Sequence, residues 1–331
     1  MLAKGQDPQP ELPTACTAAQ AAAFDKRLLD FFPHGYSLGT FGELAAIYLR
    51  RCTWVTKKTS RNDEGHLTRD FLPRWRDTPL SGITRAEIVL LLDEIVDRGA
   101  PQLSIRTKDM LSALFNFAVD RGLMETNPIA GYKHRIKRNS RERYLTDLEI
   151  GRFWRACDRV PHVSSDIYKA ILLTACRPGE ACAMEWREIQ GDWWVLPSQK
   201  TKNGKEHWIY ITPALRRILD RRAADSKGER SVFTSAKTDG EAVRFLSYHT
   251  KKVRQLSGIP DFRPHDLRRT ARTHVSMLGF SDEIGEVLLN HSKKGVAAVY
   301  NRNPYEREKR EALTAWASKV ARLKQEASKA A

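Results

Sequence analysis

Apolar residues recur at three and four positions along most of the chain, and helix-start and helix-stop signals bracket the recurrences. Thr40-x-x-Glu43 and Thr84-x-x-Glu87 each place a hydroxyl where it can cap an amide three residues on, with a carboxylate that can reach back. They predict helices near 41–51 and 85–98, the second ending at Gly99. Leu111, Leu114, Phe115 and Ala118 carry another helix from about Leu103 to Arg121, which Gly122 and Asn127-Pro128 stop. A further helix near 57–70 completes a compact four-helix unit. Thr146-x-x-Glu149 opens a second series, with helices near 147–158 and 165–175. There the period changes. Short runs rich in Trp, Val, Ile and Tyr, about 193–197 and 206–211, flank the turn Thr201-Lys202-Asn203-Gly204 and predict a small antiparallel hairpin. Helical spacing resumes near 213–225, where Pro213 follows Thr212, and then near 240–256, 264–278, 282–290, 294–302 and 305–326. In the last of these Leu313, Trp316, Val320 and Leu323 form an apolar stripe, which either docks on its own domain or packs on a neighbouring protomer.

The pattern describes a mainly α chain with one small antiparallel β-sheet. Residues 1–36 are rich in Pro and Ala, with one short helix around Thr17–Leu29, and no function is assigned to them. An all-helical domain at about 37–130 is followed by a linker at 131–144, a mixed α/β domain at 145–326 and a tail at 327–331. A chain of 331 residues is long enough for two such domains, each with its own core.

Charge narrows the function classes. Lys and Arg number 56 against 40 Asp and Glu, a formal net charge of +16, which favours a polyanionic partner, nucleic acid first, over an ordinary basic enzyme. Lys133, Arg135, Lys137, Arg138, Arg141 and Arg143 crowd the linker with only Glu142 opposing them, so this stretch is either a solvated connector or a phosphate contact. The five cysteines are odd in number and lack paired metal-ligand spacing, which suits reduced thiols and supports neither a disulfide framework nor a zinc site. No secretory signal stands between Met1 and Phe24, and no apolar run reaches the roughly 18–20 residues that span a bilayer. The expectation is a soluble, intracellular protein with no membrane partner.

Several polar clusters interrupt the apolar background: Arg177-Pro178-Gly179-Glu180, Lys202 in the hairpin turn, His265-x-x-Arg268, and His291 nine positions before Tyr300. Taken singly each is an ordinary surface or core feature. In this order and at these distances they resemble the tyrosine recombinase family, and within it the integrases of phages and genomic islands. The resemblance covers about residues 40–326. Leu172–Glu180 looks like the first arginine box, Lys202-Asn203-Gly204-Lys205-Glu206 like the hairpin lysine, and His265-Asp266-Leu267-Arg268-Arg269-Thr270 like the second box. Leu288-Leu289-Asn290-His291 and then Ala297-Ala298-Val299-Tyr300 match the last histidine and the nucleophile.

The resemblance implies an all-helical core-binding domain and a mixed α/β catalytic domain that close as a C-shaped clamp on double-stranded DNA. It implies breakage and rejoining of DNA through a 3′-phosphotyrosyl bond, with Tyr300 attacking. A phenol with a pKa near 10 needs a base as its bond to phosphorus forms, and His265 is the family's candidate. Arg177 and Arg268 would hold the charge growing on the non-bridging oxygens, because guanidinium groups bind two oxygens at once and keep their protons. His265 and Arg268, three apart, share a helix face. Lys202 would protonate the departing 5′ oxygen, with Lys200 and Lys205 close enough to compete. His291 would donate to the phosphate, Glu180 would orient the site, and Tyr305 is a rival nucleophile five residues on.

No nucleotide, metal or other cofactor is implied. The chain lacks a G-x-x-x-x-G-K-[ST] loop and a recognisable carboxylate metal constellation. Further implications are a monomer free in solution, a homotetramer on paired sites working through a Holliday junction, DNA-bending accessory proteins, and the bacterial cytoplasm, at the nucleoid, as the place of action. The product would be integration or excision of a mobile element such as a viral genome. A type IB topoisomerase, a resolvase or a non-catalytic DNA-binding regulator are the alternative readings. Two departures stand out. Genomic-island integrases commonly carry an added N-terminal domain for arm-type sites, whereas about 36 residues precede the first helix here, so arm-site binding is not expected. Asn290 occupies a position where Gly is common, a change that adjusts the turn while leaving the imidazole in place.

Overall fold

The computed structural model of the chain describes residues 39–49, 51, 60–139, 141–160, 162–225, 228–234, 242–243, 246–291 and 305–329, apart from the side chains of 60–62, 247 and 248. The helices expected at 17–29 and 294–302, and Tyr300, lie outside the described residues. The chain divides into two compact units, Met1–Ser140 and Arg141–Ala331.

The first unit is helical. Helix α1 (Phe41–Tyr48) starts at the expected capping box, in which Thr40 accepts from the Glu43 amide and Glu43 accepts from the Thr40 amide. Helix α2 (Ser60–His66) passes through a π turn (Leu67–Phe71) into α3 (Leu72–Trp75), five residues beyond the expected end near 70. Pro73 explains the extension: it sits in the first turn of α3, where its missing N–H costs no helical bond, and the wide π turn precedes it. Helix α4 (Arg85–Asp97) has the same capping box at Thr84, and α5 (Pro101–Asp120) begins earlier than expected because Pro101 serves as a first-turn residue. Gly122 ends α5 in the left-handed region, at φ +68°. Phe41, Phe71, Trp75, Ile88, Leu92, Leu111, Leu114 and Phe115 meet in the core, with Phe41 edge-on to Trp75 at 5.5 Å between ring centres.

In the second unit, α6 (Asp147–Asp158) opens on the Thr146 capping box. Helix α7 (Val163–Thr174) is buried along its whole length, and α6, α8 (Pro178–Cys182), α9 (Pro213–Asp225), α11 (Pro264–Met277) and α13 (Glu306–Lys329) pack on it. A three-stranded antiparallel sheet follows α8, in the order β1 (Ile189–Gln190), β2 (Trp193–Leu196), β3 (His207–Tyr210), with Leu196 opposite His207. The two-residue β1 and five-residue α8 are too short for periodicity to reveal. Helix α10 (Ser247–Ser257) starts later than the expected 240, because Ala242 bridges Thr234 and the Val243 amide donates to Phe233 O at 3.1 Å. Helix α12 (Asp282–Leu288) is shorter than the expected 282–290, since Asn290 turns into the left-handed region at φ +48°.

The apolar stripe of α13 is covered by its own unit. Leu313, Trp316, Val320 and Leu323 are all buried there, each such burial contributing roughly 1.5–3 kcal/mol. Trp316 Nε1 donates to Leu172 O at 2.6 Å, which ties α13 to the end of α7. At Gly151 of α6 a Cβ would lie 2.6 Å from Ala327 Cβ and 2.7 Å from Leu323 O, so only glycine allows this approach of α6 and α13. Cys157, Cys176 and Cys182 are buried free thiols, and burial pushes Cys182 up to about 11. No helix among the described residues is long and apolar enough to cross a membrane.

Candidate active site

The second unit delivers its polar residues from the ends of elements. Helix α7 terminates at Ala175, a non-glycine residue at φ +58°, and the chain turns there to place Arg177 at the N-cap of α8. Buried Glu180 then fixes Arg177 twice, accepting from its backbone amide at 2.8 Å and from Nη1 at 2.7 Å.

Arg268, buried on α11, is the hub. Nη1 donates to Ala175 O and Nη2 to Leu289 O, both at 2.7 Å, so one guanidinium joins the turn before Arg177 to the turn before His291. Both acceptors are neutral carbonyls, and among the described residues no carboxylate is bonded to this group. Burial, and next the positive charge of Arg177, lowers Arg268 to about 10. Two cations held near each other in a desolvated place favour an anion between them.

His265 lies one turn earlier on α11, in the first turn of the helix, with part of its surface open to solvent and part of its ring covered. Partial burial of its ring, then the charges of Arg268 and Arg269, hold it below the ordinary imidazole range, so the ring is neutral at neutral pH and can accept a proton. His291 shows the opposite arrangement. Its Nδ1 lies 2.6 Å from Glu286 Oε2, where only an N–H can satisfy the carboxylate, and its Nε2 lies 3.4 Å from Arg268 Nη2. Glu286, the carboxylate that holds His291, is a contact that sequence reasoning missed. Its only signal is its place five residues ahead of His291, on the short helix α12.

Of the three lysines around the hairpin turn, Lys200 is the one paired with carboxylates among the described residues. Lys200 Nζ donates to Ala183 O and Glu185 Oε1, each at 2.8 Å, and pairs with Glu188 as well. Glu185 is held down at about 2, chiefly by Arg230 and then by Lys200, so this lysine is committed to the segment that precedes β1. Lys202 is exposed, and no described residue pairs with its ammonium. The turn is closed by the buried Thr201, whose hydroxyl donates to Lys205 O at 2.8 Å, and by Gly204 at φ +69°. Asn203 bonds to Asn290 across to the His291 turn, a connection sequence reasoning also missed. His207, on β3, is buried with Nδ1 unbonded, and burial, then the charges of Lys309, Arg268 and Arg177, push its ring down to about 3.

Tyr305 has a partner of its own: its hydroxyl donates to Glu283 Oε1 at 2.5 Å, which occupies it structurally. Tyr300, the nucleophile expected from the sequence, lies outside the described residues.

The basic stretch splits into two groups. Arg141 bonds to Asp266 and Asp261, and Arg143 to Glu149 and Asp261, within the second unit. Arg138 pairs with Asp109 in the first. Lys133, Arg135 and Lys137 instead alternate with Tyr132, His134 and Ile136, which are half-buried, and the three cations are exposed. His134 Nε2, 2.7 Å from Ser104 Oγ, holds that alternation in place.

Comparison with known proteins agrees on family. Residues 41–135 match the phage integrase central domain, and residues 143–307 match the phage integrase family. The chain is similar to the prophage integrase IntZ of Escherichia coli strain K12, 24% identical over 260 residues, covering 77% of this chain and 64% of that one. The integrase of Escherichia phage lambda is 25% identical over 236 residues, covering 68% and 65%. The chain therefore spans slightly less than two thirds of the length of these relatives. Among solved structures, a lambda integrase tetramer bound to a Holliday junction superposes with a TM-score of 0.63 at 22% identity, covering 87% of each chain. The Tn1549 transposon integrase in complex with circular intermediate DNA gives 0.61 at 15% identity, covering 82% of this chain and 98% of that one. At these identities the likeness speaks for the fold, two helical parts with one small antiparallel sheet.

Proposed function

The chain belongs to the phage integrase family of tyrosine recombinases, and from that premise we propose that it cuts and rejoins DNA at specific sites through a 3′-phosphotyrosyl intermediate. The observation that carries the reading is the buried Arg268 guanidinium, bonded to the carbonyls of Ala175 and Leu289 just before Arg177 and His291 and, among the described residues, to no carboxylate. A scissile phosphate supplies the missing negative charge.

In this mechanism Arg177 and Arg268 hold the two non-bridging oxygens, and Glu180 keeps Arg177 aimed. His265, neutral at neutral pH, takes the phenol proton of Tyr300 as its oxygen bonds to phosphorus. Lys202 gives a proton to the 5′ oxygen as the old ester bond breaks. His291, fixed by Glu286 through Nδ1, turns Nε2 to the phosphate; it donates there once it carries a second proton. One phosphoester replaces another, so the bond is stored without a nucleotide and is resealed by a 5′ hydroxyl.

The substrate is double-stranded DNA, and strand exchange takes place in a homotetramer on paired sites, as in the lambda integrase tetramer on a Holliday junction. The biological outcome is integration and excision of a mobile element in a bacterial cytoplasm, assisted by DNA-bending proteins. The test is a suicide core site taken from the flanks of the host element, incubated with wild type and with Tyr300→Phe. Wild type should form a covalent protein-DNA adduct and the variant none. An undiminished adduct in the variant removes Tyr300 from its role.

A further inference from the structure

The notable departure from the family pattern, Asn290, is also the residue that touches the hairpin. Asn203 Nδ2 donates to Asn290 O at 2.7 Å and lies 3.3 Å from Asn290 Oδ1. In return Asn290 Nδ2 donates to Asn203 Oδ1 at 3.3 Å and to Lys205 O at 3.2 Å. Asn203 further accepts from the Lys205 amide at 3.2 Å, which curls the turn around its own side chain. Asn290 adopts the left-handed conformation, at φ +48°, that a glycine would supply there. The backbone requirement is thus met by a residue that adds an amide, and the amide is spent on the turn carrying Lys202.

Hairpin turns are exposed and held by few contacts, so a lysine on one ordinarily samples many positions. Here the flanking residues of Lys202 are both tied down: Thr201 to Lys205 O, and Asn203 to the residue immediately before His291. The Lys202 side chain itself is left exposed, with nothing described bonded to it. Its backbone is fixed relative to the His291 turn, and that turn is fixed to Arg268 through Leu289 O.

We propose that Asn203 and Asn290 form an amide latch that pre-positions Lys202 to protonate the departing 5′ oxygen. Both are positioning residues; neither needs to touch DNA. The proposal rests on the reading of Lys202 as general acid. In the step it serves, the Tyr300 oxygen bonds to phosphorus while the P–O5′ bond breaks. The phenol proton passes to His265, and an ammonium proton of Lys202 passes to O5′, leaving a 5′ hydroxyl and a neutral amine.

Two substrates separate the possibilities: a suicide core site with its natural 5′ oxygen, and the same site with sulfur in place of that bridging oxygen. A thiolate is a far weaker base and leaves without a proton, so it does not need the acid. Asn290→Gly keeps the left-handed turn while deleting the Asn290 amide, and Asn203→Ala deletes the other half. Both should slow first-turnover cleavage of the oxygen substrate by at least about tenfold, part of the roughly 10²–10⁴ that a positioned general acid supplies. On the sulfur substrate both should match wild type. Lys202→Ala should show the same selective rescue to a larger degree. If Lys202→Ala is equally slow on both substrates, the general-acid reading fails and the latch falls with it. If Lys202→Ala is rescued by sulfur but the asparagine variants cleave the oxygen substrate like wild type, or are slowed equally on both, the latch alone is overturned.

Discussion

Arg141 donates from Nε to Asp266 Oδ1 at 3.1 Å and from Nη2 to Oδ2 at 2.9 Å, and Asp266 is wholly buried next to His265. The same carboxylate accepts from the Arg263 amide at 2.8 Å, capping α11, and from Arg269 Nη1 at 3.1 Å. The helix that presents His265 and Arg268 is therefore started by an acid that two arginines neutralise. Removing Arg141 leaves buried charge partly uncompensated. Arg141→Ala should destabilise the second unit by roughly 2 kcal/mol, the scale for stripping one partner from a buried hydrogen-bonded group. Arg141→Lys should recover only part of this, because an ammonium cannot fork onto both oxygens. Urea midpoints of the three proteins check it, and equal midpoints would mean that Arg141 behaves as a solvated surface charge.

His265 gives a pH profile with a definite sign. Its pKa in the folded protein is lowered by partial burial, then by Arg268 and Arg269, and the form that accepts the phenol proton is the neutral one. First-turnover adduct formation should therefore rise with pH along a limb centred below 6.5 and be flat by neutrality. Arg269→Gln withdraws one of the depressing charges, so the limb should move up towards 6.5 with its plateau little changed. A limb centred above 6.5, or one that Arg269→Gln leaves in place, would mean that another group is the base.

His207 makes an independent statement about stability. Its buried ring titrates at about 3 in the folded chain, against roughly 6.5 when unfolded. Between those values the unfolded chain binds a proton that the folded chain refuses, so stability is full above about pH 6.5 and falls as pH drops. At pH 5 the loss from this one residue is about 2 kcal/mol, from 1.5 pH units at 1.36 kcal/mol each. His207→Gln should flatten the dependence of the urea midpoint between pH 7.5 and 5 relative to wild type. Parallel slopes in the two proteins would show that His207 takes up its proton without unfolding.

What the sequence reveals depends on how local the physics is. The capping boxes at Thr40, Thr84 and Thr146 are each written within four residues, and all three form. The hairpin is legible because its period and its turn glycine are local too. Arg177, Arg268 and His291 stand out through order and spacing, but nothing local shows that Arg268 meets Ala175 O, 93 residues earlier, or Leu289 O, 21 later. The fates of the arginines were hidden for the same reason. Arg141 and Arg143 read like Lys133 and Arg135 in a basic run, and only the fold brings Asp261 and Asp266 against them. The close approach of α6 and α13 was equally hidden, since nothing local shows that the missing side chain of Gly151 admits Leu323 and Ala327.

That division of the basic run carries the last prediction. Lys133, Arg135 and Lys137 are exposed and alternate with the half-buried Tyr132, His134 and Ile136. Exposed and unpaired among the described residues, they can displace counterions from a nucleic-acid backbone, whereas Arg141 and Arg143 already hold carboxylates. If each of the three lies on one phosphate, replacing all three with alanine should flatten the plot of log affinity against log salt by about 2–3, near 0.9 per contact. Cleavage at low salt, with the site saturated, should persist, because the catalytic side chains belong to other elements. An unchanged salt slope would leave these residues as a solvated connector. A flattened slope accompanied by loss of cleavage at saturation would mean that this segment acts on the chemistry as well as on binding.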